Sequence, residues 1–155
     1  MSTDIQYIAK QILNLFEENK VIAVSCATES ELKVKNKNFA QIVSALKESK
    51  KDFLVINYDS TYKGDVDVDA TSLIQGMSYA LDKVEYDKEK PAIVNINPIL
   101  SNKEMLDLNS DLNKVVLSFT YGKTTFKSLE ELVEIVKDNG VEVVGVIANK
   151  TNNLI

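Results

Sequence analysis

The sequence predicts an α/β fold: a three-layer sandwich around a five-stranded, mainly parallel sheet. Two observations carry this. Five short, nearly continuous apolar runs occur at 21–26, 53–57, 92–96, 115–119 and 143–148, rich in Val and Ile. Such runs suit strands buried on both faces, as parallel strands are. The intervals between them carry apolar residues at helical spacing, and helices between parallel strands cover both faces of a sheet.

The elements follow in order. Ile5, Ile8, Ala9, Ile12, Leu13, Leu15 and Phe16 form a helical stripe within residues 1–19, with Thr3 and Gln6 spaced as a capping box. After the first strand, Phe39, Ile42, Val43 and Leu46 mark a second helix. Leu73, Ile74, Met77, Leu81 and Val84 predict a third. Met105, Leu106, Leu108 and Leu112 predict a fourth, with Ser101 and Glu104 as its capping box. Leu129, Leu132, Val133 and Val136 mark the last, which Asn139-Gly140 should end in a left-handed conformation. With 155 residues and no repeat or linker, residues 1–155 read as one domain, an N-terminal helix on a core of 20–150.

Composition excludes several chemistries. Hydrophobic residues make up 45% and charged residues 26%, an ordinary globular balance, and the net charge of −5 argues against nucleic-acid binding. All 18 basic residues are lysine. Without histidine there is no imidazole acid–base catalyst and no His-bearing metal site. Without arginine there is no arginine finger and no bidentate phosphate clamp. The single cysteine, Cys26, forms no internal disulfide, and no apolar stretch approaches the roughly 20 residues that span a bilayer. The expected location is cytoplasmic.

In an open α/β sheet, ligands sit beyond the carboxyl ends of the strands. The first such end reads Ser25-Cys26-Ala27-Thr28-Glu29-Ser30-Glu31-Leu32-Lys33-Val34-Lys35 before a helix, the layout of a phosphate-binding loop. Its chemistry is wrong, because no glycine precedes Gly64. A phosphate cradle needs glycines that turn amides inward, and forcing Ser30 or Leu32 into a left-handed conformation costs ~1–2 kcal/mol each.

The stretch from Val21 to Ser60 resembles the opening of the bacterial tyrosine kinases of capsular and exopolysaccharide synthesis, relatives of the deviant Walker-A ATPases. KPAIVNINPIL is similar to that family's Walker-B strand. KVVLSFTYGKTTFKSLEELVEIVKDNGVEVVGVIANK is similar to its closing strand, Gly-Lys-Thr-Thr turn, helix and strand. The resemblance spans about 20–150 and implies a P-loop NTPase-like domain.

It also implies which parts are missing. Family glycines fall at Ser30 and Leu32, and the magnesium-binding hydroxyl at Val34, while Lys33 keeps its type. The first aspartate of an acidic pair is Asn57 and the second survives as Asp59. The Walker-B aspartate is Asn95, followed by Ile96 and Asn97, with Pro98 kept. An arginine is replaced by Thr120, whereas Gly122, Lys123, Thr124 and Thr125 match, as does the base-reading Asn149. The family's C-terminal tyrosine cluster has no counterpart in Asn152-Asn153-Leu154-Ile155. Losing loop, metal ligands and acceptor tyrosines together leaves no route to phosphoryl transfer.

Simpler readings apply to individual residues. Lys33, Lys35 and Lys37 read as a solvated polar loop. Asp65, Asp67 and Asp69 alternate like a calcium loop, but Ala70 and Gly76 stand where its glycine and bidentate Glu belong, so they read as solvated too. Cys26 reads as a small apolar filler. Asn57, Asn95 and Asn97 read as hydrogen-bonded remnants of an acidic site, and the Gly122–Thr125 turn as a capped start to a helix. Asn149 serves equally well as a base contact or a partner of its neighbouring loop.

The expectation is a non-catalytic, pseudo-kinase-like domain acting as a protein-interaction or regulatory module. Its partner, by resemblance, is the cytoplasmic end of a membrane polysaccharide chain-length regulator. No cofactor and no metal are expected. The alternative is a nucleotide or small-molecule binder without hydrolysis, using the remnant set Lys33, Asp59, Lys123 and Asn149. An active ATPase or tyrosine kinase is the remote third reading.

Overall fold

A computed structural model describes residues 2–18, 21–59, 73–75, 89–102, 106 and 112–150. Among these residues three helices and six strands run in the order α1 (Ser2–Phe16), β1 (Val21–Cys26), α2 (Leu32–Glu48), β2 (Leu54–Asn57), β3 (Leu73–Gln75), β4 (Ala92–Asn95), β5 (Leu112–Thr120), α3 (Phe126–Asp138) and β6 (Glu142–Asn149). Short 3₁₀ turns at Glu29–Glu31 and Ile99–Ser101 follow β1 and β4.

Among the described residues every strand pairing is parallel, in the spatial order β3-β2-β4-β1-β5-β6. All five predicted strands are present, and the predicted second and third are neighbours, with Leu54 to Asn57 pairing Ala92 to Asn95. β1 lies between β4 and β5, fully buried along its length. Its Val-Ile-Ala-Val-Ser-Cys run shows no alternation because both faces are covered.

One face carries α1 and α2. Ile8, Ile12 and Phe16 pack there with Phe39, Ile42, Val43 and Leu46 against Ile22, Val24, Ile93 and Val116. The other face carries α3, where Leu132 and Val136 cover Ala23, Val94, Val115 and Leu117. Burying a large aliphatic or aromatic side chain contributes ~1.5–3 kcal/mol, so the predicted α2 stripe alone supplies a substantial share of that layer's stability.

Local expectations fare unevenly. α3 ends as predicted: Gly140 takes φ +73°, its N–H donates to Lys137 O at 3.0 Å, and Val141 N–H donates to Val136 O at 3.0 Å. This is the Schellman arrangement, with Val141 and Val136 both buried. At the other end of α3, Thr125 Oγ1 accepts from Ser128 N at 3.0 Å, so the predicted hydroxyl cap is in place.

Three assignments change. α1 begins at Ser2, so Thr3 lies inside the helix and is not its cap. Leu73 and Ile74, predicted helical, belong to β3, a short sixth strand paired with β2. Leu112, predicted helical, opens β5. Three- and four-residue apolar stretches fit either period, and pairing to a neighbouring strand decides between them. Ser101 sits in a 3₁₀ turn, and Glu104 lies outside the described residues, as do Met77, Leu81, Val84, Asp65, Asp67 and Asp69.

Candidate functional site at the strand carboxyl ends

β1, β2, β4 and β5 deliver their last residues to one rim of the sheet, and the Glu29–Glu31 turn and the first turns of α2 cover it. Three polar clusters fill this rim. Most of their members are buried.

The first centres on Lys35. Its side chain is fully buried, and its Nζ donates to Asp59 Oδ2 at 2.7 Å and to Asn95 Oδ1 at 2.8 Å. Asn95 Nδ2 donates to Asn57 Oδ1 at 2.9 Å and to Asn36 Oδ1 at 3.1 Å. Asn57 also braces the Asp59 backbone, accepting from Asp59 N at 3.2 Å and donating to Asp59 O at 2.9 Å. Burial pulls the Lys35 pKa down, and the contact with Asp59 partly restores it. The reading of Lys35 as a solvated lysine is therefore corrected. It stands four residues before Phe39 and seven before Ile42, which places it on the inward stripe of α2. Lys33 points the other way and is exposed.

The second cluster centres on Glu31, buried inside the loop that a phosphate would need open. Its Oε2 accepts from Thr28 N at 3.0 Å and Thr28 Oγ1 at 2.9 Å, and Oε1 accepts from Thr124 Oγ1. Thr124 Oγ1 in turn accepts from Thr120 N at 3.0 Å, which ties the first loop to the Gly122–Thr125 turn. Burial raises the Glu31 pKa above the ordinary carboxylate value, opposed by the two Thr28 hydrogen bonds and by the nearby Lys123 charge. Lys123 itself is exposed, and Gly122 takes φ +85° to make the turn.

The third cluster absorbs Asn149. Its Nδ2 donates to Asn38 Oδ1 at 2.9 Å and to Phe119 O at 2.9 Å, and its Oδ1 accepts from Asn38 Nδ2 at 3.0 Å. Ser118 Oγ donates to Asn38 Oδ1 at 2.7 Å. The structure ties the Asn149 side chain to Asn38 of α2 and to β5, and not to a neighbouring loop.

The four predicted site residues are thus split. Asp59 and Asn149 are buried in different clusters, whereas Lys33 and Lys123 are exposed. Glu31, Lys35 and Asn38 were not singled out for this role from the sequence. Their signal was helical phase: all three fall at three- or four-residue steps leading into Phe39 and Ile42. Nearby, Cys26 is fully buried with its thiol pushed up to about 12, chiefly by desolvation, so it remains a protonated, unreactive thiol. Ser25 Oγ donates to Asn97 O at 2.8 Å, fastening β1 to the segment after β4.

Among the described residues, no group of three His, Cys, Asp or Glu side chains is placed to hold a metal ion. Asp59 is the single carboxylate of its cluster, and the ammonium of Lys35 satisfies it.

No family model and no curated protein matches the chain. Solved structures do. The kinase domain of the Escherichia coli tyrosine kinase ETK superposes with a TM-score of 0.61 at 13% identity, over 86% of this chain and 68% of that one. The BceF tyrosine kinase domain superposes with a TM-score of 0.56 at 14% identity, over 96% of this chain and 74% of that one. The chain therefore shares the α/β fold of bacterial tyrosine kinase domains. Among the described residues, no helix is long and apolar enough to cross a membrane.

Proposed function

We propose that the chain is a non-catalytic, P-loop-like domain whose role is to bind another protein, a pseudo-kinase module rather than a phosphoryl-transfer enzyme. The observation that carries this reading is Lys35. Its ammonium fills the space between Asp59 and Asn95, where phosphoryl transfer on this fold would call for a hydrated divalent cation. An ammonium there supplies a single charge and no exchangeable coordination sites.

Glu31 supports the same conclusion. A carboxylate bonded to Thr28 and Thr124 inside the loop places negative charge where phosphate oxygens would need donors. Residues Glu29–Glu31 form a 3₁₀ turn, and none of them is a glycine. The residues present therefore do not fit a magnesium–nucleotide, and no cofactor is proposed. A cytoplasmic setting within capsule or exopolysaccharide synthesis, with a membrane chain-length regulator as partner, comes from the family resemblance described above.

The test is enzymatic. With Mg²⁺ and ATP the purified chain should show no hydrolysis above buffer and no self-phosphorylation on its six tyrosines. Turnover that disappears on Lys33→Ala would establish an active enzyme and end this reading.

A further inference from the structure

Among the described residues, the sheet has one long unpaired edge. β6 pairs with β5 along one side, and among the described residues nothing pairs with its other side. The opposite edge, β3, is three residues long, whereas β6 runs for eight. A long apolar edge strand offers a row of backbone donors and acceptors to another chain.

No described element pairs with this edge, and its run from Val143 to Ala148 is apolar. Val146 is 46% exposed on it. Beside it runs a groove between β6 and α1, floored by Ile8 and bordered by Tyr7, Gln11 and Val144. Tyr7 is 62% exposed. Gly145 lets α1 close on the strand: a Cβ there would meet Ile8 Cγ1 at 3.2 Å. Register slips between Val115 and Val116, where Val143 and then Gly145 are the partners, so the bulge sits at Val144. Residues 145–149 continue the ladder regularly beyond it.

The ends of the edge carry opposite charge. Glu142 opens β6 and Lys150 follows its last residue, both exposed. Glu142 reaches Lys114 only at 3.5 Å, on the β5 side. An antiparallel two-fold through Val146 would set Lys150 of each copy at the Glu142 end of the other, with Val146 against Val146 at the axis. Such an axis stands perpendicular to the sheet and keeps each face on its own side, so the α1 helices would also meet, antiparallel. The groove-facing stripe of α1 runs from Tyr7 through Gln11 and Asn14 to Leu15, with Glu18 just beyond the helix. The strand edge, with Glu142 at one end and Lys150 at the other, is thus complementary to itself under one symmetry operation, which is the requirement of an isologous interface.

We infer that the free edge of β6, with the α1 stripe beside it, is a homodimer interface in which two sheets join antiparallel into one. The inference goes beyond the proposed function and stands on the edge geometry, not on the loss of catalysis.

Sedimentation equilibrium and light scattering of the full chain, from low micromolar to millimolar, test it. The expected result is a concentration-dependent rise to twice the 17.3 kDa of one chain. Val146→Lys places two ammonium groups face to face at the axis and should abolish the dimer. Because Val146 is exposed, the variant's far-UV spectrum and dilute melting temperature should be unchanged. Glu142→Lys should weaken the dimer, and Glu142→Lys with Lys150→Glu should restore it, because the charges are exchanged between ends. A monomer at every concentration, a dimer indifferent to Val146→Lys, or a failure of the double exchange to restore it would each overturn the inference. So would a monomer whose β6 amides respond instead to an unrelated extended peptide.

Discussion

Lys35 and Asp59 bury opposite charges within 2.7 Å of each other, and removing one leaves the other stranded. A stranded buried ion typically costs ~3–5 kcal/mol, more than the intact pair contributes over an apolar replacement. Lys35→Met should therefore destabilise the chain by about 3–5 kcal/mol, read by urea unfolding at neutral pH. Adding Asp59→Asn should recover much of that loss, because the uncompensated charge disappears. A double variant that simply sums the two single losses would show that the pair is not coupled.

Glu31 sets a pH signature. Its folded pKa lies above its unfolded value, so between the two the folded state holds the extra proton. Stability from this group is complete below the ordinary carboxylate pKa and is lost as pH rises through the raised one. Lys35 has the opposite shift, downward, so its contribution rises with pH between its lowered value and the ordinary lysine value. Glu31→Gln keeps an oxygen for Thr28 and presents an amide to Thr124. It should flatten the acid-to-neutral fall in stability, measured as unfolding midpoints across that range. An unchanged slope would remove Glu31 as its source.

Secondary-structure elements were legible in proportion to how much tertiary context each needed. The β1, β2, β4 and β5 runs were readable because burial on both faces favours apolar residues at nearly every position, and β6 because its Val-Val-Gly-Val-Ile-Ala run stays apolar even at the sheet edge. β3 was not, because Leu73-Ile74-Gln75 is too short to display a period and becomes a strand only through pairing with Val55 to Asn57. The α2 stripe was readable from Phe39 onward, yet its first turns were misjudged as solvated. A lysine in such a pattern ordinarily faces water, and only the partner Asp59, 24 residues away, makes burial tolerable. The phosphate-loop layout points to Lys33, two residues before Lys35, the lysine that faces inward.

The caps give an element-level test. Thr125 supplies the hydroxyl that starts α3, so Thr125→Ala should cost ~1 kcal/mol. Gly140→Ala should cost a similar ~1–2 kcal/mol, through φ +73° alone, because open space surrounds the added methyl. Urea melts check both, and no effect at either position would contradict the capping account of α3.

At the scale of the whole molecule, a parallel sheet shared with tyrosine kinase domains brings the strand ends to one rim, and this chain fills that rim with its own side chains. Lys35, Asp59, Asn95 and Asn57 close one part, Glu31, Thr28 and Thr124 another, Asn38, Asn149 and Ser118 the third. Most polar groups of this rim are hydrogen-bonded within the chain, whereas Thr120 Oγ1 at the end of β5 is buried without a partner. The sequence conveyed the absent glycines and the two asparagines at strand ends; it did not convey which side chains bond one another along the rim, because that depends on contacts across the sheet.

Thermal unfolding with and without millimolar ATP and Mg²⁺ tests this most directly. A ligand at 100 times its dissociation constant, binding only the folded chain, contributes about 2.7 kcal/mol, which appears as a shift of several degrees. The account predicts a melting temperature that does not move with ATP, ADP or GTP, with or without Mg²⁺. A nucleotide-dependent rise of several degrees, abolished by Lys33→Ala or Asn149→Ala, would show that the rim still receives a nucleotide and would contradict it.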